Sequence, residues 1–176
     1  RSLISAQLKQ HDRDVPLLLG TAVWHVTREE LDSAIALFRR VIEIEPSHTL
    51  ALNNLATLLG EREADRLDAM EYIDRAIVAA GRTPSLLDTR GTILLSAGKI
   101  EEAITSLEEA IAIGGDDPRY YFHQAAAYVS AGPLESARQA FKTARDKGLD
   151  QALLTESDKK LLSKVTQALM VDDRTS

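Results

Sequence analysis

The chain has 176 residues, of which 44% are hydrophobic, 27% charged and only 5% aromatic, a balance suited to a soluble, packed domain built from small and aliphatic side chains. A formal net charge of -6 repels phosphate backbones and anionic headgroups, so nucleic acid is not expected as a partner. No apolar run approaches the roughly 20 residues that span a bilayer, so no membrane insertion is expected, and the lack of cysteine excludes disulfides, thiolate metal sites and a thiol nucleophile.

Along the chain, residues 1–14 carry Leu3, Ile4, Ala6 and Leu8 ahead of the charged His11-Asp12-Arg13-Asp14 stretch. They read as part of a helix from a preceding repeat, in a parent chain that continues upstream. Four units of helix, turn and helix follow, at residues 15–48, 49–83, 84–117 and 118–151. Their second helices align on Ala34, Ala69, Ala103 and Ala137, spaced by 35, 34 and 34 residues. In each, a large apolar residue follows at i+4 (Phe38, Ile73, Leu107, Phe141) and a small or β-branched one at i+7 (Val41, Ala76, Ala110, Ala144), which is one face of a helix. The first helices carry a small residue, Ala22, Ala56, Gly91 or Ala125, where two helix axes can approach; Gly20 competes with Ala22, which is preferred.

Turn signals punctuate the units: Ala97-Gly98-Lys99 and Ala131-Gly132-Pro133 within repeats, Glu45-Pro46, Gly81-Arg82-Thr83-Pro84 and Gly114-Gly115-Asp116-Asp117-Pro118 between them. One extra residue near Glu61-Arg62-Glu63-Ala64-Asp65 accounts for the 35-residue spacing. Residues 152–170 read as a capping helix, with Thr155 before an acidic first turn and Leu161, Leu162, Val165, Ala168 and Leu169 at helical spacing. On the last repeat, Arg138 and Arg145 stand where earlier units have isoleucine or methionine, so the face that would meet a further repeat has turned polar. Residues 171–176 are a polar tail, expected to fray.

The residues that invite chemistry have plainer roles. His25 and Glu29 stand at i, i+4, a spacing that can hold a cation, but a third ligand is missing. His11 and His48 fall in charged or turn segments, and Gly114–Asp117 lacks both the Lys-Ser/Thr of a phosphate loop and the spaced oxygen ligands of a calcium loop. No nucleophile elbow or His-Glu-x-x-His segment is present. No catalytic residue, metal or cofactor is therefore expected.

Taken together, the aligned alanines, the small residues of the first helices and the Pro-containing turns resemble the tetratricopeptide repeat (TPR) family over about residues 15–151, in the style of a bacterial tandem array. The family's usual Trp early in the first helix is replaced by Leu18, Leu52, Leu87 and Tyr121, and a usually apolar position holds Thr21, Arg90 and Gln124. The resemblance implies an all-α, right-handed superhelical solenoid of antiparallel helix pairs with a C-terminal capping helix, acting as a non-enzymatic scaffold or adaptor.

In that family the first helix of each repeat lines a concave groove that holds a peptide or partner protein. Carried over, the groove residues are Asn53, Asn54, Thr57 and Glu61 from the second unit, Ser85, Asp88, Thr89, Thr92 and Ser96 from the third, and Arg119, Phe122, His123 and Ala126 from the fourth, with Leu19 and Val23 from the first. Asn, Thr and Asp side chains would pair with an extended backbone, and Phe122 would fill an apolar pocket. Of the cation-and-asparagine set by which some members grip a terminal carboxylate, only Asn54 or Arg119 is kept, so that mode is disfavoured. Two other readings stand: a spacer or regulatory arm of a larger enzyme or secretion machine, and self-association through the N-terminal repeat face. The compartment is left open, with the cytoplasm as the default.

Overall fold

The computed structural model describes residues 12–172. The upstream helix expected within residues 1–14 falls outside them except for Asp12, Arg13 and Asp14, as does the tail beyond residue 172. Among the described residues there are nine α-helices, two short 3-10 turns and no strand. They divide into two compact units, one ending at Gly81 and one beginning at Arg82.

The first unit comprises α1 (Val15–Thr27), α2 (Leu31–Ile44), α3 (Thr49–Gly60) and α4 (Arg66–Ala80). Asp14 starts α1 by accepting a hydrogen bond from the Leu17 N–H at 3.0 Å, with Pro16 in the first turn, where its missing N–H has no helical partner to lose. His48 starts α3 in the same way, its Nδ1 accepting from the Ala51 N–H at 3.3 Å. The core is aliphatic apart from Phe38: Ala22, Ala34, Phe38, Val41, Leu52, Leu55, Ala56, Ala69, Ile73 and Ala76 are fully buried. Ala22 is buried while Gly20 is exposed with open space around it, so the close helix approach in the first repeat is made at Ala22.

The second unit comprises α5 (Pro84–Ser96), α6 (Ile100–Ala112), α7 (Pro118–Ala131), α8 (Leu134–Asp146) and α9 (Glu156–Asp172). Here the close approach falls at Gly91, where a Cβ would lie 2.6 Å from the Leu107 Cγ, so a glycine is what allows Leu107 to seat between α5 and α6. The polar residue next to it is accommodated: the Arg90 guanidinium donates to the Ser106 hydroxyl at 2.8 Å, and that hydroxyl donates to the Glu102 carbonyl at 3.0 Å. The core at the C-terminal end gathers Phe122, Ala125, Ala126, Ala137, Ala140, Ala144 and Leu149 with Val165 and Leu169 of α9, and Leu161 and Leu162 pack against it. Arg138 holds the far end of α9, donating to the Leu169 carbonyl at 2.9 Å.

The turns inside the repeats share a device. Gly98 and Gly132, between α5 and α6 and between α7 and α8, have φ of 74° and 104°, and at the equivalent place between α1 and α2 Glu29 has φ of 58°. In the second repeat the 3-10 turn Glu63–Asp65 takes over, lengthened by the extra residue. A side chain in the left-handed region is strained where glycine is not, whereas glycine loses more chain entropy on folding. Glu29→Gly is therefore expected to stabilise the chain by about 0.5–1 kcal/mol, seen as a higher denaturant midpoint at unchanged slope. A lower midpoint would mean that the Glu29 side chain holds the turn.

Candidate functional site

In the first unit, one face of α3 runs through Leu50, Asn53, Asn54 and Thr57, which follow the i, i+3, i+4, i+7 spacing of a single helical stripe. Asn54 and Thr57 are partly buried and turn hydrogen bonds back on their own helix, Nδ2 donating to the Leu50 carbonyl at 2.8 Å and Oγ1 to the Asn53 carbonyl at 3.0 Å. Asn53 differs, because its side-chain oxygen is buried yet accepts no hydrogen bond. Leu50, which holds in its repeat the place of Ser85 in the next but was not carried over with it, is 53% exposed beside it. On α1 the corresponding stripe holds Leu19, Val23 and Val26, with Val23 46% exposed.

Sequence reasoning missed Leu50 although its spacing to Asn53 and Asn54 was visible. An isolated leucine early in an amphipathic helix reads as core unless the burial of Leu52 and Leu55 is known.

In the second unit the expected residues separate into two groups. Asp88, Thr92 and Arg119 are partly buried, and Ser85 and Ser96 are exposed. Thr92 donates to the Thr89 carbonyl at 2.9 Å, while Arg119 is engaged with Asp117, its Nε lying 2.9 Å from Oδ1, which holds the Asp117 carboxyl below its ordinary range despite partial burial. Thr89, Phe122, His123 and Ala126 are buried, Phe122 completely, so the structure places Phe122 in the repeat core instead of on an open face.

His123 is the centre of this second group. Its Nδ1 lies 2.7 Å from the Asp88 Oδ1 on α5 and its Nε2 lies 3.2 Å from the Asp158 Oδ1 on α9. Burial pushes the imidazole down, but the Asp88 charge and the hydrogen bonds to both carboxylates outweigh it and raise the ring to about 10. The ring is thus an imidazolium at neutral pH and donates from both nitrogens. Asp158 is opposed by burial but drawn below the usual carboxylate range by the hydrogen bond and charge of His123, and by hydrogen bonds from Thr155. The signal that could have revealed the trio is periodic: both contacts join residues 35 apart, one repeat length.

His25 pairs not with Glu29 but with Glu30, Nδ1 to Oε2 at 2.7 Å. Among the described residues no group of three potential ligands is arranged to hold a metal ion, and no helix is long and apolar enough to cross a membrane.

The TPR repeat family matches residues 91–132. A TPR repeat-containing protein of Pseudomonas aeruginosa is 31% identical over 126 residues, covering 72% of this chain, and one of Methanocaldococcus jannaschii is 25% identical over 140 residues, covering 80%. The chain belongs to the tetratricopeptide repeat family. It spans only 20% and 24% of the length of those two relatives.

Solved tetratricopeptide structures share the fold. PilW, a widely conserved type IV pilus biogenesis factor, superimposes with a TM-score of 0.75 at 23% identity, covering 94% of this chain and 75% of its own. A thermophilic TPR protein of Thermus thermophilus gives 0.75 at 20% identity over 96% and 88% of the two chains, and MamA gives 0.69 at 20% over 86% and 85%. The tetratricopeptide fold is typically a non-enzymatic scaffold for protein partners. Stacked helix pairs of this kind offer side chains from successive first helices, here α1 and α3 in one unit and α5 and α7 in the other.

Proposed function

We propose that the chain holds a peptide segment of a partner protein on the first-helix face of its first unit, along α1 and α3. The observation that carries this reading is on α3: Leu50 is 53% exposed on a helical stripe that continues through the amide and hydroxyl side chains of Asn53, Asn54 and Thr57. The side chains of Asn54 and Thr57 pair with the backbone of a bound segment, and an apolar side chain of the same segment covers Leu50. Val23, Leu19 and Val26 give α1 an uncharged face of matching character. A segment with few charges and alternating apolar side chains suits this face better than a strongly charged one, since within the helices neither stripe holds an ionisable group, the expected groove residue Glu61 following the end of α3.

The test is selection of binding peptides from a random library on the immobilised chain, followed by affinity measurement against Leu50→Glu combined with Asn54→Ala. Both side chains are exposed or partly buried, so the variant is expected to melt like the parent. Affinity is expected to fall roughly tenfold or more, the effect of losing one apolar anchor and its polar neighbour. Undiminished affinity would place the docking surface elsewhere.

A further inference from the structure

The last helix does not take the place that the repeat pattern assigns to it. Within each unit a following first helix lies chiefly along the second helix before it, α3 along α2 and α7 along α6, with little on the first helix of that repeat. α9 reverses the preference, packing mainly on α7 and only sparsely on α8. Its two ends show how. At the start, Thr155 and Asp158 close a reciprocal cap, Asp158 Oδ2 accepting from the Thr155 N–H at 3.1 Å and Thr155 Oγ1 from the Asp158 N–H at 3.0 Å, while Oδ1 of the same carboxylate meets the His123 Nε2 of α7 at 3.2 Å. At the end, the Leu169 carbonyl accepts from Arg138 in the first turns of α8. α9 thus runs from α7 to the beginning of α8 and leaves room beside the later turns of α8.

That room is a cavity of about 540 Å³ between α8 and the second half of α9. Its apolar lining is Phe141, Leu169 and Met170, of which Met170 is 62% exposed. Its charged lining sets Arg138, Lys142 and Arg145 against Asp146 and Asp150, an excess of cation on a chain whose net charge is -6. Arg138 and Arg145 hold the places of Ile35 and Ile42, which are buried on α2, the helix along which α3 lies. Lys142 and Arg145 are 70% and 59% exposed, and each meets one carboxylate of the chain itself, Asp146 at 2.6 Å and Asp150 at 3.3 Å. Exposed pairs of this kind contribute little, and an ammonium or guanidinium has N–H donors left for a second acceptor.

We propose that this slot is a second docking site, which takes an acidic amphipathic helix of a partner protein: apolar side chains enter against Phe141, Leu169 and Met170, and carboxylates pair with Lys142 and Arg145. The occupant is helical because both walls are helices whose backbone is already paired, so an extended segment finds no ladder to join, whereas a helix brings its own hydrogen bonds. It is also the kind of element that lies along α2 and α6 at the matching place. Lys142 and Arg145 stand about one turn apart, so carboxylates separated by three or four residues on the segment reach both. A second copy docking through α1 brings no such charge, since Val15–Thr27 contains no carboxylate. The slot is independent of the first-helix face of the first unit.

The probe is a library of helix-forming peptides with a fixed apolar stripe and random flanking positions, selected on the full chain at low salt, where exposed charges act most strongly. Glutamate and aspartate at a spacing of three or four are expected to be enriched. Affinity of the selected peptides is expected to fall roughly tenfold or more in Lys142→Gln combined with Arg145→Gln, which removes both charges, and to weaken with added salt. Both side chains are exposed, so this variant is expected to melt like the parent. Met170→Glu, on the opposite wall, places a carboxylate against the incoming ones and is expected to give a similar loss.

A selection without acidic enrichment, or affinity unchanged in both variants, overturns the slot. So does a parent dimer in light scattering that Met170→Glu converts to a monomer, because the occupant is then a second copy. Leu50→Glu with Asn54→Ala is expected to leave these peptides bound. If that pair alone releases them, they dock in the first unit, and the slot fails while the first-helix reading stands.

Discussion

Replacing Phe122 by alanine is expected to destabilise the chain by about 3–5 kcal/mol, the range for removing a fully buried aromatic ring. Phe122 is completely buried in a cluster otherwise made of small residues, Ala125, Ala126, Ala137, Ala140 and Ala144, closed by Leu149, Val165 and Leu169. Alanine neighbours have no side chain with which to move into the space, so a cavity persists and the loss falls toward the upper end. Denaturant unfolding followed by helical circular dichroism checks it, with the midpoint moving down at unchanged slope. A change below about 1 kcal/mol would mean that the ring is not the keystone of this cluster. The same result has a practical side, since loss of partner binding in a Phe122 variant would report unfolding and not a docking contact.

The second large effect is expected from pH and is centred on His123. The sign follows from the direction of each shift. The imidazole is raised to about 10 in the folded chain from an ordinary value near 6.5, so its contribution is fully present below pH 6.5 and is lost as pH climbs toward 10. Asp158 is shifted the other way, so its contribution is present above the ordinary carboxylate range and is lost as pH falls through its lowered value. Stability should therefore hold a plateau from about pH 4.5 to 6.5 and decline on the alkaline side by a few kcal/mol in order of magnitude. Lysines and tyrosines also titrate there, so the diagnostic quantity is the difference from His123→Gln, whose alkaline limb should be flatter. At neutral pH the same variant should be strongly destabilised, because Asp88 and Asp158 are left facing each other without the cation between them. Parallel limbs in parent and variant would mean that His123 is neutral in the fold.

How far these features could be read beforehand depends on whether a signal is local and periodic. The alanines at 34, 69, 103 and 137 are all fully buried, because a methyl is the largest group that two closely approaching helices accept, and such a constraint recurs at the repeat length. Gly91 obeys the same rule one step further, with Leu107 filling the place of the absent Cβ. Phe122 and His123 behave differently. Their positions in the repeat are those of an open face, and they are buried with residues of α9 in the same core or hydrogen-bonded to it. Nothing in the pattern of residues 118–131 announces that cover. It depends on where a helix lying some 35 residues later settles, and the one-repeat spacing of Asp88, His123 and Asp158 becomes a signal only once that helix is known to cover the fourth repeat. Leu50 escaped for the converse reason, since apolar character alone does not distinguish a core leucine from one at 53% exposure.

The reciprocal cap at Thr155 and Asp158 also has a temporal side. A ribosome delivers residue 158 well after 88 and 123, so a growing chain carries an imidazole whose second acceptor has not yet been made. Until then water fills that role, and the carboxylate that starts the last helix takes its place. One carboxylate thus both begins the last helix and joins it to the repeats that precede it.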